Sequence, residues 1–176
     1  DGLECLDCHQ DRGTTPHDVS EEFAVGCEGC RSCHEEASTQ YRSHGRAEAR
    51  TCDDVPQCAD CHGGHEVLPS NAKLSKTHAV NIPATCGKCH EDLDLTTRYE
   101  ILINHPIEIY QSSVHGQATK GGVYVAATCN DCHGSHSILP HTDPKATISP
   151  RNIADMCMQC HARIEDVPPE DRGHIR

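Results

Sequence analysis

Cys129-Asn-Asp-Cys-His-Gly-Ser-His136 carries the pattern that recurs through this chain. Its first five residues spell Cys-x-x-Cys-His, and three residues past that histidine stands a second imidazole, His136. The five-residue pattern occurs six times, with first cysteines Cys5, Cys30, Cys58, Cys86, Cys129 and Cys157 at spacings of 25, 28, 28, 43 and 28 residues. In a chain of 176 residues this leaves little sequence for any other organising principle.

Cys-x-x-Cys alone is ambiguous, because paired thiolates also bind zinc and exchange disulfides. The next residue separates the readings. It is histidine in all six cases: His9, His34, His62, His90, His133 and His161. A zinc ribbon needs no histidine there, and a redox pair normally occurs once, on a thioredoxin-like pattern of strands and helices that this chain lacks. Cys-x-x-Cys-His is the attachment signature of a c-type haem: two thiols form thioethers to one porphyrin and the adjacent histidine meets the iron. The sequence therefore predicts six covalently bound haem c groups. They are held by Cys5 and Cys8, Cys30 and Cys33, Cys58 and Cys61, Cys86 and Cys89, Cys129 and Cys132, and Cys157 and Cys160.

Composition points the same way. Tryptophan is absent, Phe23 is the only phenylalanine, and aromatic residues total 3%. Such a chain struggles to offset its conformational entropy by burying side chains. Together with a formal net charge of −12, that composition could signal disorder, unless flat macrocycles supply the missing aromatic surface. The acidic balance argues against nucleic acid, which calls for basic patches, and favours positively charged partners. No apolar run reaches the ~18 residues of a transmembrane segment. Covalent haem attachment implies export, so the expectation is a mature extracellular or periplasmic chain freed of its signal peptide.

An internal repeat appears at an offset of 71 residues. His44-Gly45 maps on His115-Gly116, and Cys58, Asp60, Cys61, His62, Gly63 and His65 map on Cys129, Asp131, Cys132, His133, Gly134 and His136. Leu68-Pro69 then maps on Leu139-Pro140, Asn81-Ile82 on Asn152-Ile153, and Cys86, Cys89 and His90 on Cys157, Cys160 and His161. The chain reads as one domain, 1–176, of two-haem modules at about 1–40, 41–95 and 110–165. An insertion at about 94–108 carries the apolar Ile101-Leu102-Ile103, and a tail runs over 167–176. The fold class expected is mostly irregular with short α-helices and little or no sheet, its core a packed haem chain. Helices are expected over Cys30–Tyr41, Cys86–Tyr99 and Ile153–Ile164. A short strand is expected at Val123-Tyr124-Val125, flanked by Gly121-Gly122.

Sixth ligands come from nine histidines outside the motifs. Methionine is the other common axial ligand, but Met158 lies inside a Cys-x-x-Cys and Met156 just outside it. Six bis-histidine haems is the economical reading, and it implies low potentials. His44, His65, His115 and His136 recur in the repeat and lead the candidates. His78 follows, although its repeat partner is Ser149, and His17 is the spare histidine of the first pair. His105, His141 and His174 are open as replacements, a solvated surface imidazole being the alternative for His105 and His174. A histidine three residues past its proximal neighbour cannot fold back across the same haem. His65 and His136 are therefore expected to ligate a haem other than the one their own motif holds.

Cys27 and Cys52 are left over, either as a disulfide in an oxidising compartment or as two unpaired thiols. The glycines of His-Gly and Cys-His-Gly are read as permitting close backbone approach to a porphyrin. Tyr41, Tyr99, Tyr110 and Tyr124 are read as packing on haem faces, and the acidic pairs such as Glu35-Glu36 as solvated faces.

These residues resemble the bis-histidine multihaem cytochromes c of anaerobic and metal-reducing microbes. The resemblance rests on Cys129-Asn-Asp-Cys-His-Gly-Ser-His-Ser-Ile-Leu-Pro140, Ser113-Val-His-Gly116 and Asn81-Ile-Pro-Ala-Thr-Cys-Gly-Lys-Cys-His90. That family includes soluble periplasmic electron carriers and secreted cytochromes that polymerise into conducting filaments. The resemblance implies electron transfer through closely packed haems with no substrate transformed, in anaerobic respiration. Its partners would be other cytochromes or extracellular acceptors such as metal oxides. A subunit of a head-to-tail filament is the favoured form, since a heterologous contact that does not close grows a fibre. A soluble periplasmic carrier, a redox subunit of a respiratory complex and a multihaem reductase are the alternatives.

Overall fold

The computed structural model describes Glu4, Cys30, residues 33–41, His44 and residues 55–161. Cys5, Cys8, His9, His17, Cys27, Cys52 and His174 lie outside the described residues. Over the described residues the chain is helical and irregular, with no strand. Eight short helices follow one another there: α1 (Glu35–Tyr41), α2 (Cys58–His62), α3 (Ile82–His90), α4 (Leu93–Arg98), α5 (Pro106–Ser112), α6 (Val114–Lys120), α7 (Cys129–His133) and α8 (Ile153–Met158).

The offset seen in the sequence is reproduced in the hydrogen bonding. At the start of α2 the Gln57 N–H donates to the Asp60 carboxylate at 2.6 Å, and at the start of α7 the Thr128 N–H donates to Asp131 at 2.7 Å. A carboxylate three residues on thus satisfies a donor that the first turn leaves orphaned. Both helices stop at a glycine of positive φ, Gly63 at +90° and Gly134 at +88°, whose N–H returns to Ala59 or Asn130. A Cβ at Gly134 would sit 2.8 Å from the Ser137 carbonyl oxygen, so sterics and φ both demand glycine there.

Beyond each glycine the chain folds into four successive three-residue turns. The N–H groups of Ala72, Ser75, His78 and Asn81 donate to the carbonyls of Pro69, Ala72, Ser75 and His78. Those of Asp143, Ala146, Ser149 and Asn152 donate to Pro140, Asp143, Ala146 and Ser149. An asparagine closes each ribbon: Asn81 Nδ2 donates to the Lys73 and Ser75 carbonyls, and Asn152 Nδ2 to Pro144 and Ala146. Backbone polar groups are paired locally, without a sheet, and each ribbon delivers the chain to the next motif helix, α3 or α8.

The insertion is helical. Asp92 caps α4 by accepting from the Asp94 and Leu95 N–H groups at 2.9 and 3.0 Å, a strong N-cap for its type. That cap divides the helix expected over Cys86–Tyr99 into α3 and α4, and α3 begins four residues earlier than expected, with Pro83 in its first turn. The helix expected from Cys30 starts only at Glu35, and the one expected to reach Ile164 ends at Met158, its last residues lying outside the described ones. The strand expected at Val123–Val125 is a turn. Val123 N–H bonds back to Ala118 and Ala126 N–H to Val123, so β-branched residues with no neighbouring edge to pair with follow the local turn.

α3 is the hub, packing against α2, α4, α5 and α7, while α5 packs on α6. Glu91, at the end of α3, accepts from the Ile107 N–H at 2.9 Å and sits 3.2 Å from His105 Nδ1. It thereby caps α5 from another element. Tyr110 bonds through its hydroxyl to Thr119 Oγ1 and the Ala127 carbonyl. A Cβ at Gly116 would lie 2.1 Å from the Tyr110 carbonyl oxygen. The glycine of His115-Gly116 therefore admits the backbone of α5.

Side chains do not build a core in the repeats. Ile82, Pro83 and Ala146 are the apolar residues buried among the described ones. Leu74, Leu102, Val114 and Val125 are each at least four-fifths exposed. No helix among the described residues is long and apolar enough to cross a membrane.

Candidate functional site

Four motif histidines stand at or just past helix ends: α2 ends on His62, α3 on His90, α7 on His133, and His161 follows α8. Because histidine directly follows the second cysteine, it falls in the last turn of a short helix, beside the thiols. The spare histidines enter from elsewhere. His44 follows α1, His115 lies in the first turn of α6, and His136 lies in the loop beyond Gly134.

Three pairs of imidazoles face one another across similar gaps. His44 and His90 have ring centroids 6.4 Å apart, His62 and His136 6.0 Å, and His115 and His161 5.8 Å. Two metal–imidazole bonds of about 2 Å, with about 1.1 Å from nitrogen to ring centre, separate opposite ligands of one metal by roughly 6 Å. Each pair joins one motif histidine to one spare histidine, the combination that a bis-histidine haem requires. His44–His90 and His115–His161 are the same pair at the repeat offset. The donor set also fits haem c at its sulfurs, since each of these pairs has two thiols beside its motif histidine. Among the described residues no three or more of His, Cys, Asp and Glu gather in a metal-holding cluster, whereas a closed structural zinc site takes four.

Burial favours the neutral form of four imidazoles, His44, His62, His90 and His133. Burial, with the charge of His90 alongside, lowers His44 to about 4. His62 is lowered by burial and then by His136 and His34, His90 by burial, and His133 by burial and then by His90. A neutral imidazole keeps the lone pair that ligates a metal, so no proton has to be displaced.

Cysteines of successive motifs lie close enough to influence one another. Cys61 is raised by burial first and then by charges that include Cys89. Cys86 donates a hydrogen bond to Cys129, which holds the Cys86 thiol up and Cys129 down. Cys132 is raised by burial and then by neighbours that include Cys157 and Cys160. This neighbourhood of thiols runs from the Cys58 motif to the Cys157 motif.

The remaining candidates stand apart from these pairs. His78 is buried, at 7% exposure, and its ring meets the edge of Tyr124 at 5.0 Å. Its Nδ1 accepts from the Val80 N–H at 3.3 Å, which places the proton of a neutral ring on Nε2. His105 Nδ1 is engaged by Glu91. Among the described residues no second imidazole meets His34 or His133 in this way. His65 lies in the exposed loop after Gly63, in the place His136 takes in the later repeat. Of the tyrosines, Tyr41 meets the His44 ring edge-on at 5.9 Å and bonds to the Pro56 carbonyl. Tyr110 serves the α5–α6 contact. The cap from Glu91 and the Tyr110–Thr119 bond were not singled out in the sequence, where only Glu91 following the motif histidine hinted at the first. No protein-family model, curated protein or solved structure matches this chain.

Proposed function

We propose that the chain is a multihaem c-type cytochrome that carries electrons along a row of six bis-histidine haems, as a subunit of an extracellular cytochrome filament. The observation that carries this reading is the set of three imidazole pairs at 5.8–6.4 Å, each combining a motif histidine with a spare one. Bound haem c supplies one-electron exchange at its iron. The cysteines would anchor the haems, and the closeness of thiols in successive motifs would keep consecutive anchors near one another. His62 with His136, His90 with His44, and His161 with His115 would hold an iron between them. At the three paired sites a second imidazole would occupy the place a substrate would need, which favours transfer over catalysis there.

The exposed apolar side chains fit a chain whose core is the cofactor row itself. The closeness of cysteines in successive motifs supports a path that runs from one motif to the next, as a filament subunit needs. Protein-film voltammetry of the purified holoprotein tests the transfer: reversible one-electron waves at low potential are expected, and an electrochemically silent film contradicts it. Negative-stain images of secreted material test the filament. Uniform small particles under all conditions would contradict polymerisation and favour the soluble carrier.

A further inference from the structure

The three imidazole pairs follow two different rules. His44–His90 and His115–His161 each stay within one repeat, joining the histidine of His-Gly to the second motif. His62–His136 crosses between repeats, joining the first motif of one to the histidine that follows the first motif of the next. The fold shows how the crossing arises. α2 and α7, the first-motif helices of successive repeats, both pack on α3, so their C-terminal ends are brought near each other. Gly134, at φ +88°, turns the chain off the end of α7, and His136 ends with its ring centre 6.0 Å from that of His62. The electrostatic influence of His136 on His62 reflects the same proximity.

We infer that His136 is the sixth ligand of the iron bound by His62, so that the last repeat completes a haem site of the repeat before it. This rests on the haem reading above. The two repeats are then joined by a coordinate bond as well as by packing, and the site at Cys58–His62 is finished only when the loop after α7 is in place. His136 is a ligand in trans between repeats, while its sequence neighbour His133 binds a different iron.

The test uses the full-length holoprotein, with attached haems counted by intact mass and spin state read by electron paramagnetic resonance of the oxidised form. His136→Ala is expected to convert one haem in six to high spin. That conversion is expected to persist when the haem of its own motif is removed by Cys129→Ala with Cys132→Ala, and to disappear when Cys58→Ala with Cys61→Ala removes the other. His136→Met is expected to restore a low-spin centre, at raised potential. A six-haem His136→Ala protein that stays fully low-spin overturns the inference alone, as does a high-spin signal that vanishes with the Cys129 and Cys132 pair. A chain with no attached haem overturns the haem reading as well. If a cysteine variant fails to accumulate, an iron-anomalous map from holoprotein crystals decides. An iron between His62 and His136 upholds the inference, and an iron between His133 and His136 overturns it.

Discussion

The repeats and the insertion between them hold themselves together by different means. Where the insertion runs into the last repeat, α5 and α6 pack through Tyr110, which binds Thr119 and Ala127, and α5 is fastened to α3 by Glu91 and by Ile107 against Gly87. In the repeats, turn ribbons and short capped helices satisfy the backbone, but very few apolar side chains are buried. There the chain brings imidazoles and thiols together in place of a hydrophobic core. The contrast separates the part that supplies its own packing from the part where the proposed prosthetic group would supply it.

Removing that group should break the comparison most severely. A full-length chain secreted without haem attachment is expected to lose cooperative thermal unfolding in far-ultraviolet circular dichroism, whereas the holoprotein melts cooperatively. Equal melting of the two forms would mean that the repeats carry a core of their own.

Next in size is Gly116→Ala, which forces a Cβ onto the Tyr110 carbonyl. Overpacking of this kind costs typically about 1–3 kcal/mol, to be read from denaturant midpoints of the holoprotein. A neutral result would mean that α5 and α6 do not pack as closely as described.

Glu91→Ala removes a carboxylate cap and is expected to cost about 0.5–2 kcal/mol. The loss should be local: hydrogen exchange should speed up at Ile107 and the first turn of α5 while the turn ribbons keep their protection. Uniform acceleration would erase the distinction between insertion and repeats.

The smallest effect is expected from His78→Ser, which installs the residue that Ser149 provides at the equivalent turn. Losing the contact with Tyr124 costs about 0.5–1.5 kcal/mol, with no new high-spin iron in the oxidised spectrum. A high-spin signal would make His78 an axial ligand after all.

Much of this arrangement was legible in the sequence. The mostly irregular, short-helical fold follows from the glycine and proline punctuation, and the offset of 71 anticipates the matched caps at Asp60 and Asp131. The turn ribbons were not legible, because their hydrogen bonds are backbone ones that any residue can make, and only Asn81 and Asn152 mark them with side chains. The strand at Val123–Val125 failed because strand preference needs a partner edge. The two-helix insertion was hidden behind one apolar triplet, although Asp92 before Leu93 was an available N-cap signal. For the candidate site, the motif histidines are fixed by their spacing. The pairing of His44 with His90 and of His62 with His136 depends on how α3 gathers its neighbours, which spacing alone does not encode.

The central claim, that the six motifs hold six bis-histidine haems, is tested most directly on the pure secreted protein by intact mass together with electron paramagnetic resonance. Six attached haem masses are expected, with ferric signals that are low-spin throughout. Fewer than six haems, or zinc that a chelator withdraws from the cysteine pairs, would contradict it.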